Sequence, residues 1–331
     1  MKAIYFPSKG QISFGELPDP IVGEDDVLVR VKTSGICHTD FEVLHANYGT
    51  ATFPIVPGHE YAGVVEAVGP AVTSVRVGER VVVDPNFECG TCRACQRGWA
   101  HLCDNLGAYG VTKHGGFAEL SCVKATAVQP IHDMEFRVAA LAEPMGCVLN
   151  GVDAAFDPIQ ENALIFGAGP MGLLMGMALQ TRGIGDITFA DIDEDRLRLA
   201  ESFGFNSVAS GSDALGALHH SVDLVVEATG VPAVAGQLTE YIANGGNGLF
   251  FGVCSSDARI EISPFEVFRR QLTLAGSHSL NHNIPDAIET IKAFGSDIKR
   301  VVSHEMPIEA TAEVFKSGAP RGSLKIQAVA E

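Results

Sequence analysis

The chain has 331 residues, 46% of them hydrophobic, which is long enough for two domains with sizeable cores. Its net charge of −17 creates a field that repels phosphate backbones and anionic membranes, so a nucleic-acid partner is not expected. The opening "MKAIYFPSKG" has no apolar core followed by a cleavage site, and no window reaches the roughly 18 uninterrupted apolar residues of a membrane span. A cytoplasmic protein with no membrane partner is the expectation.

The first third alternates β-branched residues with turn signals: "DVLVRV", "YAGVVEAVG" and "SVRVGERVVV", punctuated by Gly35, Gly58, Gly69 and Gly78. That pattern predicts an irregular β-rich domain. Inside it, "CHTDFEVLHANYG" at 37–49 crowds a cysteine, a histidine, a threonine and an aspartate together, as a metal-centred site or a polar strand-to-helix loop would. Further on, "VPGHEYAG" supplies His59 and Glu60, and "LAEPMGCV" supplies Glu143. Taken singly, His59 reads as a core histidine and Glu143 as a helix-start acid. A catalytic zinc needs about three protein ligands plus an open position, drawn from distant parts of a chain, and together with Cys37 these residues read better as one site.

Between them lies "CGTCRACQRGWAHLC", where Cys89, Cys92, Cys95 and Cys103 are spaced C-x2-C-x2-C-x7-C. In a reducing compartment such crowding suggests metal before disulfides. Four thiolates can close a tetrahedral shell with no position left for substrate, which is a structural zinc. A zinc ribbon reading nucleic acid would want more basic and aromatic neighbours than Arg93, Arg97 and Trp99.

From about Glu143 the pattern changes to short apolar strands alternating with amphipathic helices. "ALIF", "ITFA", "NSVAS", "DLVVEA", "GLFFGV" and "LTLAGS" are six candidate strands, which predict a doubly wound parallel sheet, an α/β fold. In "NALIFGAGPMGLLMGMALQTRG", Gly167, Gly169 and Gly172 form G-x-G-x-x-G after a strand, with Pro170 and Met171 opening the helix. Glycines there let backbone N–H groups approach a pyrophosphate at the positive end of the helix dipole. The next strand ends at Asp191, nineteen residues past Gly172, where a carboxylate accepts the hydroxyls of an adenosine ribose and repels a 2′-phosphate. NAD is therefore expected rather than NADP. Arg196 is a second ribose contact or an exposed helix arginine, and Asp193 reads as a helix cap. After about Gly276, "IPDAIETIKAFG" and "GSLKIQAV" read as a helix and a last strand. Cys122, Cys147 and Cys254 read as buried small apolar residues.

With "GICHTD", "PGHEYAGVV", the four-cysteine lobe, "GGFAEL", "AEPMGCVLNGVD", "GAGPMG" and "VVEATG" in this order, the chain resembles the zinc-dependent medium-chain alcohol dehydrogenases over nearly its whole length. The resemblance implies a GroES-like β-rich catalytic domain at 1–143 and 276–331, carrying the zinc lobe at 89–103. It also implies a six-stranded Rossmann NAD-binding domain at 144–275. It implies two zinc ions per chain, the catalytic one held by Cys37, His59 and Glu143, directly or through water, with Glu60 as an alternate ligand. Asp40 matches the acid that orients the zinc histidine, and Thr39 the hydroxyl that receives the substrate proton. His38 falls where relatives place a cation near the pyrophosphate, and Thr229 and Val253 fall beside the cofactor. Relatives end the proton relay on a histidine where this chain has Glu42, so the relay ends there or on His45.

The glutamate in "AEP", where simple primary-alcohol enzymes carry cysteine, resembles the sorbitol, arabinitol, butanediol and threonine dehydrogenase branch. A secondary alcohol flanked by hydroxyls is then the expected substrate, in a pocket shaped by residues such as Phe41, Val43, Tyr48 and Phe117. The alternatives are a primary alcohol or aldehyde dehydrogenase on the same scaffold, and a non-catalytic NAD-binding zinc protein. Relatives pair NAD domains edge to edge, which implies a homodimer or homotetramer using the "GLFFGV" and "LTLAGS" strands.

Overall fold

The computed structural model describes residues 1–47 and 51–330; Tyr48 lies outside them. The chain divides into two compact units. One comprises Met1–Pro144, Leu280–Ile291 and Ile298–Glu331, and the other Met145–Ser279 with Lys292–Asp297. The first seam falls inside the helix Ala142–Ala155 rather than at a loop.

The first unit is built from short strands: β1 (Lys2–Tyr5), β2 (Ser13–Glu16), β3 (Asp26–Gly35), β4 (Glu60–Val68) and β5 (Arg80–Val83). There follow β6 (Asn86–Phe87), β7 (Gly107–Ala108), β8 (Leu120–Lys124) and β9 (Val128–Pro130). The strands β10 (Asn162–Phe166), β11 (Asp186–Asp191), β12 (Asn206–Ala209), β13 (Val222–Glu227), β14 (Ile242–Phe250) and β15 (Thr273–Gly276) make the sheet of the second unit. The chain then returns to the first unit with β16 (Val302–Pro307) and β17 (Lys325–Val329).

The large sheet of the first unit runs β16-β17-β3-β4-β5-β9, with β8 also paired to β3. Along β3 the alternate residues Val27, Val29 and Val31 face one way, into a core with Tyr61, Val65, Val81 and Val83. A second core gathers Ile4, Phe6, Val43, Leu44, Phe117 and Phe315. At the corner of that core, Phe6 and Phe117 each pack edge-on against Phe315, with ring centroids 5.5 Å apart. Such pairs contribute about 0.5–1.5 kcal/mol beyond their buried area.

The sheet of the second unit is parallel throughout, in the order β12-β11-β10-β13-β14-β15. This is the doubly wound fold expected, and strand order reverses between β10 and β13, which opens a crevice at the carboxyl ends of those strands. The helix Pro170–Thr181 has Leu173, Leu174, Met175, Met177 and Leu179 all buried, so it is apolar on every side as a covered helix must be. Each such side chain contributes about 1.5–3 kcal/mol on burial.

Two local readings are corrected. β14 begins at Ile242, well ahead of "GLFFGV", because "NGGN" is absorbed as an irregularity in the pairing with β13 instead of forming a turn. Cys122, Cys147 and Cys254 are half-exposed rather than buried. Among the described residues, no helix is long and apolar enough to cross a membrane.

Candidate active site

In the first unit, β3 ends at Gly35 and the chain turns into the helix His38–Leu44 through Cys37, which has extended backbone (φ −118°, ψ 157°) at the helix N-cap. Asp40 is fully buried, and its two oxygens work on different partners. Oδ2 accepts the Cys37 N–H at 2.9 Å, which closes the first helical turn. Oδ1 accepts the Gly58 N–H at 3.0 Å and stands 3.4 Å from His59 Nδ1. One carboxylate thus ties the cysteine turn to the histidine turn. Gly58 needs its positive φ of +94°, and any Cβ there would strike Phe117 at 2.6 Å, so the turn that aims His59 accepts only glycine.

The ligand atoms of Cys37, His59 and Glu60 lie within 4.8 Å of one another. Burial alone would depress the His59 pKa, but the charge and hydrogen bonding of Asp40, and then Cys37, hold it well above its ordinary value. A buried imidazole with one nitrogen facing a carboxylate and a thiol close by is the arrangement of a metal-ligating histidine. Thiol, imidazole and carboxylate form a donor set that suits zinc. Glu143, buried in the first turn of its helix, stands outside that group of three.

Glu60 also faces a residue that the sequence reading missed. Lys325, from β17, is buried and ion-paired to it. Burial would lower the Lys325 pKa, yet Glu60, then Cys37 and Glu143, hold it above the ordinary lysine value. Gly35 pairs with Glu60 across β3 and β4, and a Cβ on it would lie 2.4 Å from Glu60 Oε2, so the glycine makes room for the carboxylate. The signal was present in "SLKIQAV", where a lysine interrupts an otherwise buried strand.

Thr39 Oγ1 lies 3.7 Å from Cys37 Sγ. His38 and Glu42 sit one helical turn apart at the surface, with Nε2 and Oε1 separated by 3.4 Å. His45 is the exposed C-cap of the same helix. Of the described residues expected to shape the pocket, Val43 and Phe117 are fully buried in the core and Phe41 is partly exposed, packed on Phe315 at 5.3 Å. Apolar type alone does not separate lining from core.

Elsewhere in the first unit, Cys89, Cys92, Cys95 and Cys103 bring their sulfurs within 4.8 Å of one another. Backbone N–H groups point into the cluster: Cys89 N to Cys103 Sγ at 3.3 Å, Cys92 N to Cys89 Sγ at 3.4 Å and Asn105 N to Cys103 Sγ at 3.3 Å. Hydrogen bonds from the Thr91 and Cys92 backbones pull the Cys89 thiol down to about 6, whereas burial and then the neighbouring thiols push Cys95 up to about 12. Four thiolates this close cannot all ionise without a cation, and a zinc ion fits the donor set.

In the second unit, the turn after β10 uses its glycines in three ways. Gly167 has φ +102°; Gly172 has no room, since a Cβ would lie 1.9 Å from Gly167 O; and a Cβ on Gly169 would meet only Arg196 Nη1, at 3.8 Å. The middle position is therefore open to a ligand, at the start of a helix with Pro170 in its first turn and Met171 beside it. Asp191, at the end of β11, accepts the Ala168 N–H on Oδ2 (2.7 Å) and the Asp193 N–H on Oδ1 (2.9 Å). Asp193 caps the next helix by accepting from Asp195 and Arg196 N–H groups, as its position predicts. Arg196 Nε is buried without a hydrogen-bond partner, beside the open turn. Thr229 and Val253 occupy the turns after β13 and β14.

Two family models match the chain: the alcohol dehydrogenase GroES-like domain over residues 23–133, and the glucose dehydrogenase C-terminus over residues 137–328. D-altritol 5-dehydrogenase from Agrobacterium fabrum (strain C58 / ATCC 33970) is 49% identical over 336 residues, covering 100% of both chains. The chain belongs to the zinc-dependent medium-chain alcohol dehydrogenase family. Within this family, D-arabinitol dehydrogenase 1 from Uromyces fabae is 32% identical, covering 98% of this chain and 96% of its own. A zinc-binding dehydrogenase from Sinorhizobium meliloti 1021, solved with NADP, superposes with a TM-score of 0.95 at 31% identity, covering 99% of each chain. The protein is thus an oxidoreductase acting on CH–OH donors, in the polyol dehydrogenase branch of this family.

Proposed function

We propose that the protein oxidises a secondary hydroxyl of an acyclic polyol to a ketone, with NAD as the hydride acceptor. The observation that carries this reading is the convergence of Cys37, His59 and Glu60 within 4.8 Å, around a histidine steered by buried Asp40. Cys37 and His59 would hold a zinc ion with a carboxylate from Glu143 or Glu60. Zinc, when bound, supplies the positive charge that lowers the pKa of a substrate hydroxyl, and NAD takes up the hydride. Asp40 keeps His59 oriented and basic as a ligand. Thr39 accepts the hydroxyl proton and passes it outward, to Glu42 in its pair with His38 or to His45. The four-cysteine lobe would hold a second zinc with no open position.

Gly167, Gly169, Pro170, Met171 and Gly172 cradle the pyrophosphate, with Asp191 and Arg196 on the adenosine ribose. The choice of NAD rests on Asp191: each of its oxygens already accepts a backbone N–H, and its charge opposes a 2′-phosphate. The similar Sinorhizobium meliloti structure holds NADP, so the preference is tested directly. A homo-oligomer forms along β15, which is one edge of the sheet, whereas β14 lies inside it; Phe265 and Phe268 on the helix Pro264–Arg270 are exposed. A four-cysteine cluster that serves as metal ligands suits a reducing cytoplasm.

The test is NADH formation from D-altritol, D-arabinitol, other pentitols and hexitols, butanediol, threonine and ethanol, with and without a zinc chelator, and with NADP in parallel. Chelator-sensitive turnover of a polyol with NAD is expected. Turnover confined to ethanol, or none in protein holding zinc and cofactor, overturns the reading.

A further inference from the structure

Glu227 ends the central strand β13 and is fully buried. Its Oε1 collects three donors: the Thr229 N–H at 2.6 Å, the Gly230 N–H at 2.9 Å and the Thr229 hydroxyl. Its Oε2 has no hydrogen-bond partner. A buried carboxylate oxygen left without a partner is costly and calls for an explanation.

The surroundings are all turn backbone. The Glu227 carbonyl accepts N–H groups from Phe251 (3.0 Å) and Gly252 (2.7 Å), the first residues after β14. A Cβ on Gly252 would lie 2.6 Å from Glu227 Oε2 and 2.3 Å from Gly230 N, and a Cβ on Gly230 (φ +69°) would lie 2.6 Å from Val253 O. On the other side, Ala228 N donates to Phe166 O at 2.9 Å, and a Cβ on Gly167 would meet the Thr229 methyl at 3.0 Å. The Glu227 carboxylate therefore folds the turn after β13 and packs against Gly252, its main-chain carbonyl ties that turn to the one after β14, and Ala228 and Thr229 press it against the glycine turn after β10. Gly252 has no room for a side chain because it closes on the carboxylate, and Gly230 has none because it closes on the Val253 backbone.

Strand order gives that layer a direction. Asp191 at the end of β11 marks the adenosine ribose and the glycine turn after β10 marks the pyrophosphate. The sheet continues β11, β10, β13, β14, so the remaining half of a dinucleotide extends over the turns that Glu227 fastens. We propose that Glu227 is a positioning residue that holds the Thr229–Gly230 and Gly252–Val253 turns as the seat of the nicotinamide half of the cofactor. The proposal rests on the reading that a dinucleotide binds this crevice.

The side chain accepts through Oε1 alone, and Oε2 is enclosed without a donor. Glu227→Gln keeps the shape and the accepting Oε1 but puts a bulkier N–H2 group in the enclosed place of Oε2, tight against Gly252. The test compares the binding of NADH with that of ADP-ribose, which lacks the nicotinamide, by fluorescence and calorimetry. In Glu227→Gln the NADH dissociation constant rises about tenfold or more, as loss of a charge-assisted hydrogen-bond centre implies, while that of ADP-ribose moves less than about twofold. Thr229→Val, which removes one donor and keeps the carboxylate, gives a smaller shift in the same direction, and it decides the matter by the same pair of ligands if Glu227→Gln does not fold. Equal weakening of both ligands, or of neither, overturns the proposal. Wild-type protein that binds neither ligand would instead overturn the cofactor reading, and this proposal with it.

Discussion

Among the described residues, two clusters present metal-ligating atoms, and they are built in opposite ways. The lobe takes four like residues from one stretch of fifteen and aims backbone N–H groups at their sulfurs. The Cys37 cluster takes unlike residues from a helix cap, a glycine turn and the start of β4, with a lysine from β17 facing it, so the whole sheet of the first unit must form before it exists. The difference teaches that spacing alone assembles the four-cysteine cluster, whereas the mixed cluster is a product of the tertiary fold.

Substitution on each side sharpens that contrast. Cys37→Ser should abolish polyol turnover, beyond the ~10–100-fold loss typical of changes around a metal's ligands, while NADH binding persists. Cys95→Ser should lower the melting midpoint by roughly 10 °C, since metal-binding free energy in such lobes is folding free energy, and leave turnover per folded molecule near wild type. Zinc content, melting and turnover measured on both variants decide it. Equal activity loss with unchanged melting would sink the assignment of the lobe as structural. Next in size is Asp40→Asn, which should cost about 10–100-fold in turnover and loosen one zinc; an unaltered rate and zinc content would break the link drawn from Asp40 to His59.

What was legible in the sequence follows the same division. The six parallel strands and the glycine turn were readable because strand, turn and helix follow one another within about thirty residues. So was the capping role of Asp193. The lobe was readable from its spacing. Lys325 and Glu227 were not taken up, because each acts on a partner fixed only by sheet register: Lys325 stands 265 residues from Glu60. Which of Phe41, Val43 and Phe117 faces a pocket was not legible, because an apolar residue near the Cys37 turn has the same composition signal whether it lines a pocket or fills the core behind it.

Asp191 tests whether a carboxylate can be specific and structural together. Asp191→Ser removes a charge and leaves the Ala168 and Asp193 N–H groups poorly matched, so the KM for NAD should rise about 10–100-fold, the equivalent of roughly 1.5–3 kcal/mol. The ratio of NADP to NAD turnover should rise as well. Unchanged cofactor kinetics would refute its place on the ribose.

The smallest expected effect concerns how the lobe is held. Asn281 accepts the Ala100 N–H at 3.1 Å and donates to Gly98 O at 2.9 Å, and Asn86 donates to Leu280 O at 3.2 Å. Beside them His282 stands 3.7 Å from Asp84 and 3.3 Å from Glu88. Hydrogen bonding to Asp84 outweighs burial, and with the charge of Glu88 it raises the His282 pKa above its ordinary value. A raised folded pKa means that the contribution is fully present below the unfolded value of about 6.5 and is lost as pH rises through the folded value. Because the side chain is 56% exposed, solvent screening keeps the gain under about 1 kcal/mol. His282→Asn, chosen because asparagine tolerates the backbone φ of +59°, should lower the melting midpoint at pH 6 and converge with wild type at alkaline pH. A melting difference that stays constant from pH 6 to pH 9 would show that His282 holds the lobe by packing and not by charge.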